Sequence, residues 1–125
     1  MKSMLVFLTM TMGCSTALHA VAAVSEGAAY ASLACDAGST HWAIHSGEGY
    51  MEVNPVMGAS PSGNEVAGYF AAVGTGVFAM NRAFSHGQSQ VAGDVWRIVT
   101  NATVVVLEQS AIRGNHDAGV PLCGY

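Results

Sequence analysis

The chain has 125 residues and a formal net charge of −4, and 51% of its residues are hydrophobic while only 10% are charged. Soluble domains carry about 25% charged residues, which keep a water-exposed surface in solution, so this composition favours contact with lipid. The four Lys and Arg residues form no basic cluster, which excludes the electrostatic surface that nucleic-acid binding requires.

Residues 1–23 have the features of an export leader. Lys2 supplies a positive charge, residues 4–12 form a short apolar core, and Ala17 and Ala22 offer small residues for cleavage by a signal peptidase. Two alternatives stay open. One is an uncleaved first membrane helix, because residues 3–25 include no Asp, Glu, Lys or Arg. The other is lipidation of Cys14. Each of them predicts a protein of the bacterial cell envelope.

The first helical pattern covers residues 24–46. Ser25 is suited to cap its start, and small residues recur at every fourth position from Gly27 through Ala31 and Cys35 to Ser39. Such a ridge lets the backbone of a second helix approach closely. Asp36 and Thr40 lie one turn apart on a neighbouring stripe, which we expect to face inward.

Two more helices are predicted at about 65–85 and 91–113. The first carries no charge from residue 66 to 81 and is apolar on all sides, which indicates burial in protein or in lipid. It has its own small-residue ridge at Gly68, Ala72 and Gly76. The other helix has a shorter uncharged core at 98–107. This pattern predicts a small bundle that spans residues 24–113.

The connector at 47–64 and the tail at 114–125 complete the chain. Gly, Pro, Ser and Asn interrupt helix throughout the connector, and Asn54 is expected to cap a short helix that begins at Pro55. The tail is expected to be poorly ordered. After removal of a leader, Cys35 and Cys123 would remain and could form a disulfide.

Asp36 is the side chain whose burial costs most free energy, because an ionisable group in a membrane helix needs a partner. Thr40, Arg97 and Asn101 are candidate partners. A structural role in fixing helix register competes here with a ligand-binding or proton-binding role.

His41 and His45 are four residues apart, a spacing that metal sites use, and Glu48 or Glu52 could add oxygen ligands. Trp42 stands where a zinc-protease helix has glutamate. The alternatives are two partly exposed histidines or a pH-sensitive pair. The sequence has no Gly-x-Ser-x-Gly elbow and no dinucleotide fingerprint after a strand, so we predict no catalytic residue and no cofactor, which favours a non-enzyme and leaves an enzymatic role open.

The succession Asp36-x-x-Ser39-Thr40, Gly47 or Gly49, and Glu52-x-Asn54-Pro55 resembles a group of small bacterial integral-membrane proteins of uncharacterised function. Their pattern is an Asp-x-x-Ser/Thr-Thr helix followed by a Glu-x-Asn-Pro turn and further apolar helices, and the resemblance covers about residues 28–113. It implies one polar cluster where the connector folds back on the bundle, formed by Asp36, Ser39, Thr40, Glu52, Asn54 and Pro55. His41, His45 and the less apolar third helix depart from the pattern.

We therefore expect an all-α membrane bundle of three apolar helices after a leader, located in the bacterial inner membrane. Its expected function is that of a non-catalytic accessory or interaction protein. Its expected partners are the lipid bilayer and other membrane helices, or a second copy bound through Gly68, Ala72 and Gly76. One alternative is an exported soluble helical domain, periplasmic or secreted, that binds a small ligand or a partner. Another is a metal- or proton-dependent membrane protein that uses Asp36, His41, His45 and Glu52.

Overall fold

A computed structural model of the protein confirms the all-α prediction and describes residues 2–47, 49, 54, 56–87 and 89–124. Helix α1 is Lys2–His45, α2 is Gly63–Gly87 and α3 is Gln90–Asp117, and a short 3₁₀ turn follows at Leu122–Gly124. There is no strand in these ranges. None of the helices in the described ranges has both the length and the apolar character that a membrane crossing requires.

Helix α1 is continuous through the boundary that the sequence suggests between a leader and the first bundle helix. Ser25 therefore caps nothing, and its hydroxyl donates within the helix to the Ala22 carbonyl at 2.8 Å. Two residues assigned to the leader belong to the bundle, because Ala22 is fully buried and His19 contacts Asp94 of α3.

The buried face of α1 is shifted from the predicted ridge. Gly27 and Ala31 of that ridge are exposed. The buried positions recur at spacings of three and four residues, which keep one side of a helix against its neighbours: Ala22, Ala29, Ser32, Leu33, Asp36, Ser39 and Thr40. The inward orientation predicted for Asp36 and Thr40 is confirmed.

The helix ends where the sequence predicts. The Ser46 N–H donates to the Trp42 carbonyl at 2.9 Å, and Gly47 follows with a φ of 74°. This left-handed conformation carries little steric cost for glycine, which is why glycine so often follows the last turn of a helix.

Helix α2 begins with a reciprocal cap. The Ser62 N–H and hydroxyl donate to Glu65 Oε2 at 2.7 and 2.8 Å, and the Glu65 N–H donates back to Ser62 Oγ at 3.3 Å. Helix α3 is capped by Ser89, whose side chain accepts from the Ala92 N–H at 3.4 Å. A side chain at Gly93 would collide with the Phe84 carbonyl, so glycine allows the close approach of α2 and α3.

The expectation of a poorly ordered tail is wrong. Helix α3 continues to Asp117, Val120 is buried, and Cys123 forms a disulfide with Cys35 of α1. The tail lies so close to α1 that a side chain at Gly38 would collide with the Cys123 carbonyl. The C-terminal segment is thus part of the fold at the end of the bundle where α1 and α3 finish.

Candidate functional site: a polar cavity between the first and third helices

A cavity of about 400 Å³ lies between α1, α3 and the connector. Its wall combines a buried carboxylate with hydroxyl, amide and apolar groups. The lining residues are Asp36, Thr40, Asn54, Met57, Leu107, Ser110, Ala111, Gly114 and Asn115. Three members of the polar cluster that the resemblance implies, Asp36, Thr40 and Asn54, therefore line one cavity.

Asp36 accepts hydrogen bonds from side chains of its own helix and of α3. Its exposed fraction is 7%, and the Ser39 hydroxyl donates to its backbone carbonyl at 3.0 Å and lies 3.5 Å from its Oδ1. Asn115 Nδ2 donates to Asp36 Oδ1 at 3.3 Å and to Ser39 Oγ at 3.0 Å. A buried carboxylate is tolerable when hydrogen bonds replace its lost water, and here an amide from the opposite helix supplies one of them.

Glu108 is a second carboxyl group beside Asp36. Burial raises the pKa of Glu108, and its hydrogen bond with Asp36 acts in the opposite direction. The charged form is the one that loses most on leaving water, so partial burial favours a proton on Glu108. Because that hydrogen bond lowers the pKa of Glu108, it is one that the Glu108 carboxylate accepts from the Asp36 carboxyl group, and the two groups can hold one proton between them.

The connector contributes Asn54, though not as the predicted helix cap. Its Oδ1 accepts from the Val56 N–H at 3.0 Å, and its carbonyl accepts from the N–H groups of Met57 and Gly58, both at 3.1 Å. This is the side-chain turn that asparagine forms readily, and the described residues 56–62 that come after it are not helical. Glu52 and Pro55, the other predicted members of the cluster, lie outside the described residues.

Arg97 and Asn101 are not the partners of Asp36. They belong to a second buried cluster, where Arg97 Nη1 donates to Asp94 at 3.1 Å and its Nη2 to Glu26 at 2.9 Å. Asn101 and Asn81 exchange side-chain hydrogen bonds in the same region. A buried arginine is costly unless its charge is paired, and two carboxylates from α1 and α3 pair this one.

His41 and His45 lie on the exposed side of α1, with their ring centroids 4.2 Å apart. Nδ1 of His45 is 2.8 Å from the His41 carbonyl. Both rings line a separate cavity of about 340 Å³ beside Cys123. Within the described residues no group of three or more His, Cys, Asp or Glu side chains is arranged to hold a metal ion, and Glu48 and Glu52 lie outside them. The metal site remains a prediction.

Two features of the site were missed by the sequence analysis. Asn115 was placed in the tail, although the pattern of α3 continues through it. The Ser62-x-x-Glu65 spacing is a recognisable helix-start signal that fixes where the connector ends.

In comparisons with protein-family models, curated proteins and solved structures, nothing matches this chain.

Proposed function

We propose that the protein is a three-helix accessory or interaction protein of the bacterial inner membrane, with polar groups inside the bundle and an apolar exterior. The observation that carries this proposal is on α3. Asp94 and Asn101 are 3% and 0% exposed, whereas Val99 and Val106 are 49% and 67% exposed. A water-soluble helix has the reverse arrangement, because burying charge without need is costly and exposing valine has no benefit.

The apolar exterior extends along all three helices. On α3, the residues exposed between Val91 and Leu107 are uncharged, which covers about 24 Å at 1.5 Å per residue. The exposed residues of α1 from Ala20 to Ala34 are only Ala, Val and Gly. Because the buried Asp94, Arg97 and Asn101 lower the average hydropathy of α3, its outer face is more apolar than the helix as a whole.

Exposed hydroxyl groups on this surface are satisfied within the helices. The Thr75 hydroxyl donates to the Ala71 carbonyl at 2.7 Å, and the Thr103 hydroxyl donates to the Val99 carbonyl at 2.9 Å. In water such groups have no need of an internal acceptor, whereas among acyl chains an unpaired hydroxyl is costly. This pairing supports lipid as the surrounding medium.

The disulfide suggests an orientation. Disulfides persist in oxidising compartments, so the end of the bundle with Cys35 and Cys123 is proposed to face the periplasm. Arg82 and Arg97 lie towards the opposite end, where His19 and Glu26 of α1 meet α3. That end is then cytoplasmic, in agreement with the excess of arginine and lysine on the cytoplasmic side of membrane proteins.

The way in which the polar groups are used supports an accessory role. Asp36, Asn115, Arg97 and Asn101 bond one helix to another, which stabilises the bundle and leaves recognition to its outer surface. Gly68, Ala72 and Gly76 are exposed on α2, so self-association through this ridge is retained as part of the proposal.

Carbonate extraction of membranes from cells that express the full chain tests the proposal. We expect the protein to stay in the membrane pellet, together with an integral-membrane marker, while a peripheral marker is released. Release into the wash would overturn membrane residence and favour the exported soluble domain.

Cross-linking in the membrane tests self-association. Gly76→Ile should reduce the cross-linked dimer, while Gly27→Ile, at an exposed position of α1, should not.

A further inference from the structure

A third cavity, of about 220 Å³, lies at the end of the bundle away from the disulfide. It is bounded by α1, α2 and α3, and its lining is unusually rich in cationic groups for so sparsely charged a chain. The lining residues are His19, Glu26, Asn81, Arg82, Ser85 and Arg97. None of them belongs to the Asp36 cavity.

The charges of Arg82, Arg97, Glu26 and Asp94 sum to zero, but they are not paired one to one. Arg97 is paired with Asp94 and Glu26, and both carboxylates are thereby engaged. Arg82 forms no ion pair with the described residues, and its guanidinium lies 5.1 Å from the centroid of the Phe78 ring. One guanidinium charge is therefore left facing the cavity, with five N–H donors in a planar fork that suits phosphate oxygens.

His19 adds a second group. Its Nδ1 is 3.2 Å from both carboxylate oxygens of Asp94, which makes Nδ1 the hydrogen-bond donor to that carboxylate. The other ring nitrogen, Nε2, is left for a ligand, and the side chain is 55% exposed. When the ring is protonated, Nε2–H is a donor suited to an anionic oxygen.

The residue types beside the cavity are those that membrane proteins carry at a membrane surface. Arg82 follows directly after the uncharged stretch of α2, and Phe84 stacks on Trp96 with their ring centroids 6.1 Å apart. Trp96 is 53% exposed. Tryptophan and arginine concentrate at the height of lipid headgroups, where an aromatic ring meets both acyl chains and water.

We propose that Arg82, assisted by His19, binds the phosphodiester headgroup of an anionic phospholipid in this cavity. A phosphodiester carries one negative charge, which matches the one unpaired guanidinium. The doubly charged form of inorganic phosphate would meet the Glu26 carboxylate with no further cation to balance it. This inference rests on the proposed membrane residence, and it adds the class of lipid.

Binding to the purified full-length protein tests the site. In micelles we would titrate phosphatidylglycerol against phosphatidylcholine and follow thermal unfolding. Phosphatidylglycerol should raise the unfolding temperature of the wild type, and Arg82→Gln should weaken its binding about five- to tenfold. Arg113→Gln removes the same charge from an exposed position nearer the opposite end and should bind as the wild type does. Arg82→Lys should retain part of the binding because the charge remains.

Each outcome decides between alternatives. Equal phosphatidylglycerol binding by Arg82→Gln and Arg113→Gln would overturn the site, and circular dichroism would show whether both variants are folded. An Arg82-dependent stabilisation by inorganic phosphate alone, at millimolar concentration, would identify free phosphate as the ligand and overturn the lipid. Carbonate-resistant membrane residence without a lipid preference would overturn this inference and leave the proposed function intact. Release by carbonate would overturn the proposed function itself.

Discussion

Asn81 and Asn101 exchange two hydrogen bonds across the interior of the bundle. Asn81 Nδ2 donates to Asn101 Oδ1 at 2.8 Å, and Asn101 Nδ2 donates to Asn81 Oδ1 at 3.1 Å. Asn101 Nδ2 also donates to Ser25 Oγ at 3.1 Å, and Arg97 Nε donates to Asn81 Oδ1 at 3.3 Å. One amide pair thus joins α2 to α3 and, through Ser25, to α1.

Asn101→Leu is expected to destabilise the bundle by about 1–3 kcal/mol, because Asn81 and Ser25 would lose their buried partner and Asn81 would keep only its bonds with Arg97 and the Val77 carbonyl. The double variant Asn81→Leu/Asn101→Leu should cost less than the sum of the two single changes, since the two hydrogen bonds between these amides can be lost only once. Unfolding in detergent measures these differences. Asn64→Leu, at an exposed position of α2, is the control. Strict additivity of the two changes would contradict the pairing.

Loss of the disulfide is expected to cost about 2–5 kcal/mol, because the bond closes a loop between residues 88 apart in the sequence. Cys123→Ser and Cys35→Ser should lower the unfolding temperature equally, and a reductant should lower that of the wild type but of neither variant. Cys14→Ser removes an exposed free thiol and serves as the control. Thiol titration of the unfolded, unreduced protein should find Cys14 alone, and three reactive thiols would show that the bond is absent.

The raised pKa of Glu108 predicts a pH dependence of stability. A folded-state pKa above the unfolded one means that the folded protein binds the proton more tightly. The stabilisation is then present at low pH and is lost as the pH rises through the folded pKa. Glu108→Gln keeps an acceptor oxygen for Asp36 and removes the carboxyl group that burial destabilises when charged, so its unfolding temperature should vary less with pH and exceed that of the wild type at pH 7.

Asp117→Asn is the matched control for that measurement, because Asp117 is exposed on the same helix. It should keep the pH dependence of the wild type. If Glu108→Gln has the same pH profile as Asp117→Asn, Glu108 does not share its proton with Asp36.

Ser62→Ala is expected to cost about 1 kcal/mol, because the first N–H groups of α2 lose their side-chain acceptor. Hydrogen bonds from Ser62, first its backbone N–H and then its hydroxyl, hold the pKa of Glu65 below its ordinary value. That contribution is present above the ordinary pKa of glutamate and is lost as the pH falls through the lowered one. Ser60→Ala, at an exposed position before the helix, should change neither the stability nor its acid dependence.

The sequence was sufficient to predict the structure at positions where a residue has a strong local conformational preference. Gly47 ends α1 because left-handed backbone suits glycine, and Asp36 faces inward together with Thr40 because the two lie one turn apart on the same stripe of the helix. Such effects act within a few residues and need no knowledge of the partner helix.

The sequence was not sufficient to predict which positions of a helix pack against its neighbours, because several of its faces are similarly apolar. The predicted ridge with Gly27 and Ala31 and the observed seam with Ala29 and Leu33 are all small or apolar, so composition does not distinguish them. The pairing of Arg97 with Glu26 instead of Asp36 depends on the register of α1 against α3, which is set by contacts 71 residues apart in the sequence. Long-range geometry of this kind has no local signature.

The continuous helix α1 also determines which cysteine can form a disulfide with Cys35 during synthesis. Cys123 is synthesised 88 residues after Cys35, which at about 5–20 residues per second leaves Cys35 waiting for roughly 4–18 s as a thiol. Cys14 is present throughout that interval and could oxidise with Cys35 in a flexible chain. Within one helix, however, they are held about 31 Å apart at 1.5 Å per residue, so early folding of α1 prevents the wrong pairing. The length of helix between Cys14 and Cys35 thus keeps the Cys35 thiol available until Cys123 has been synthesised.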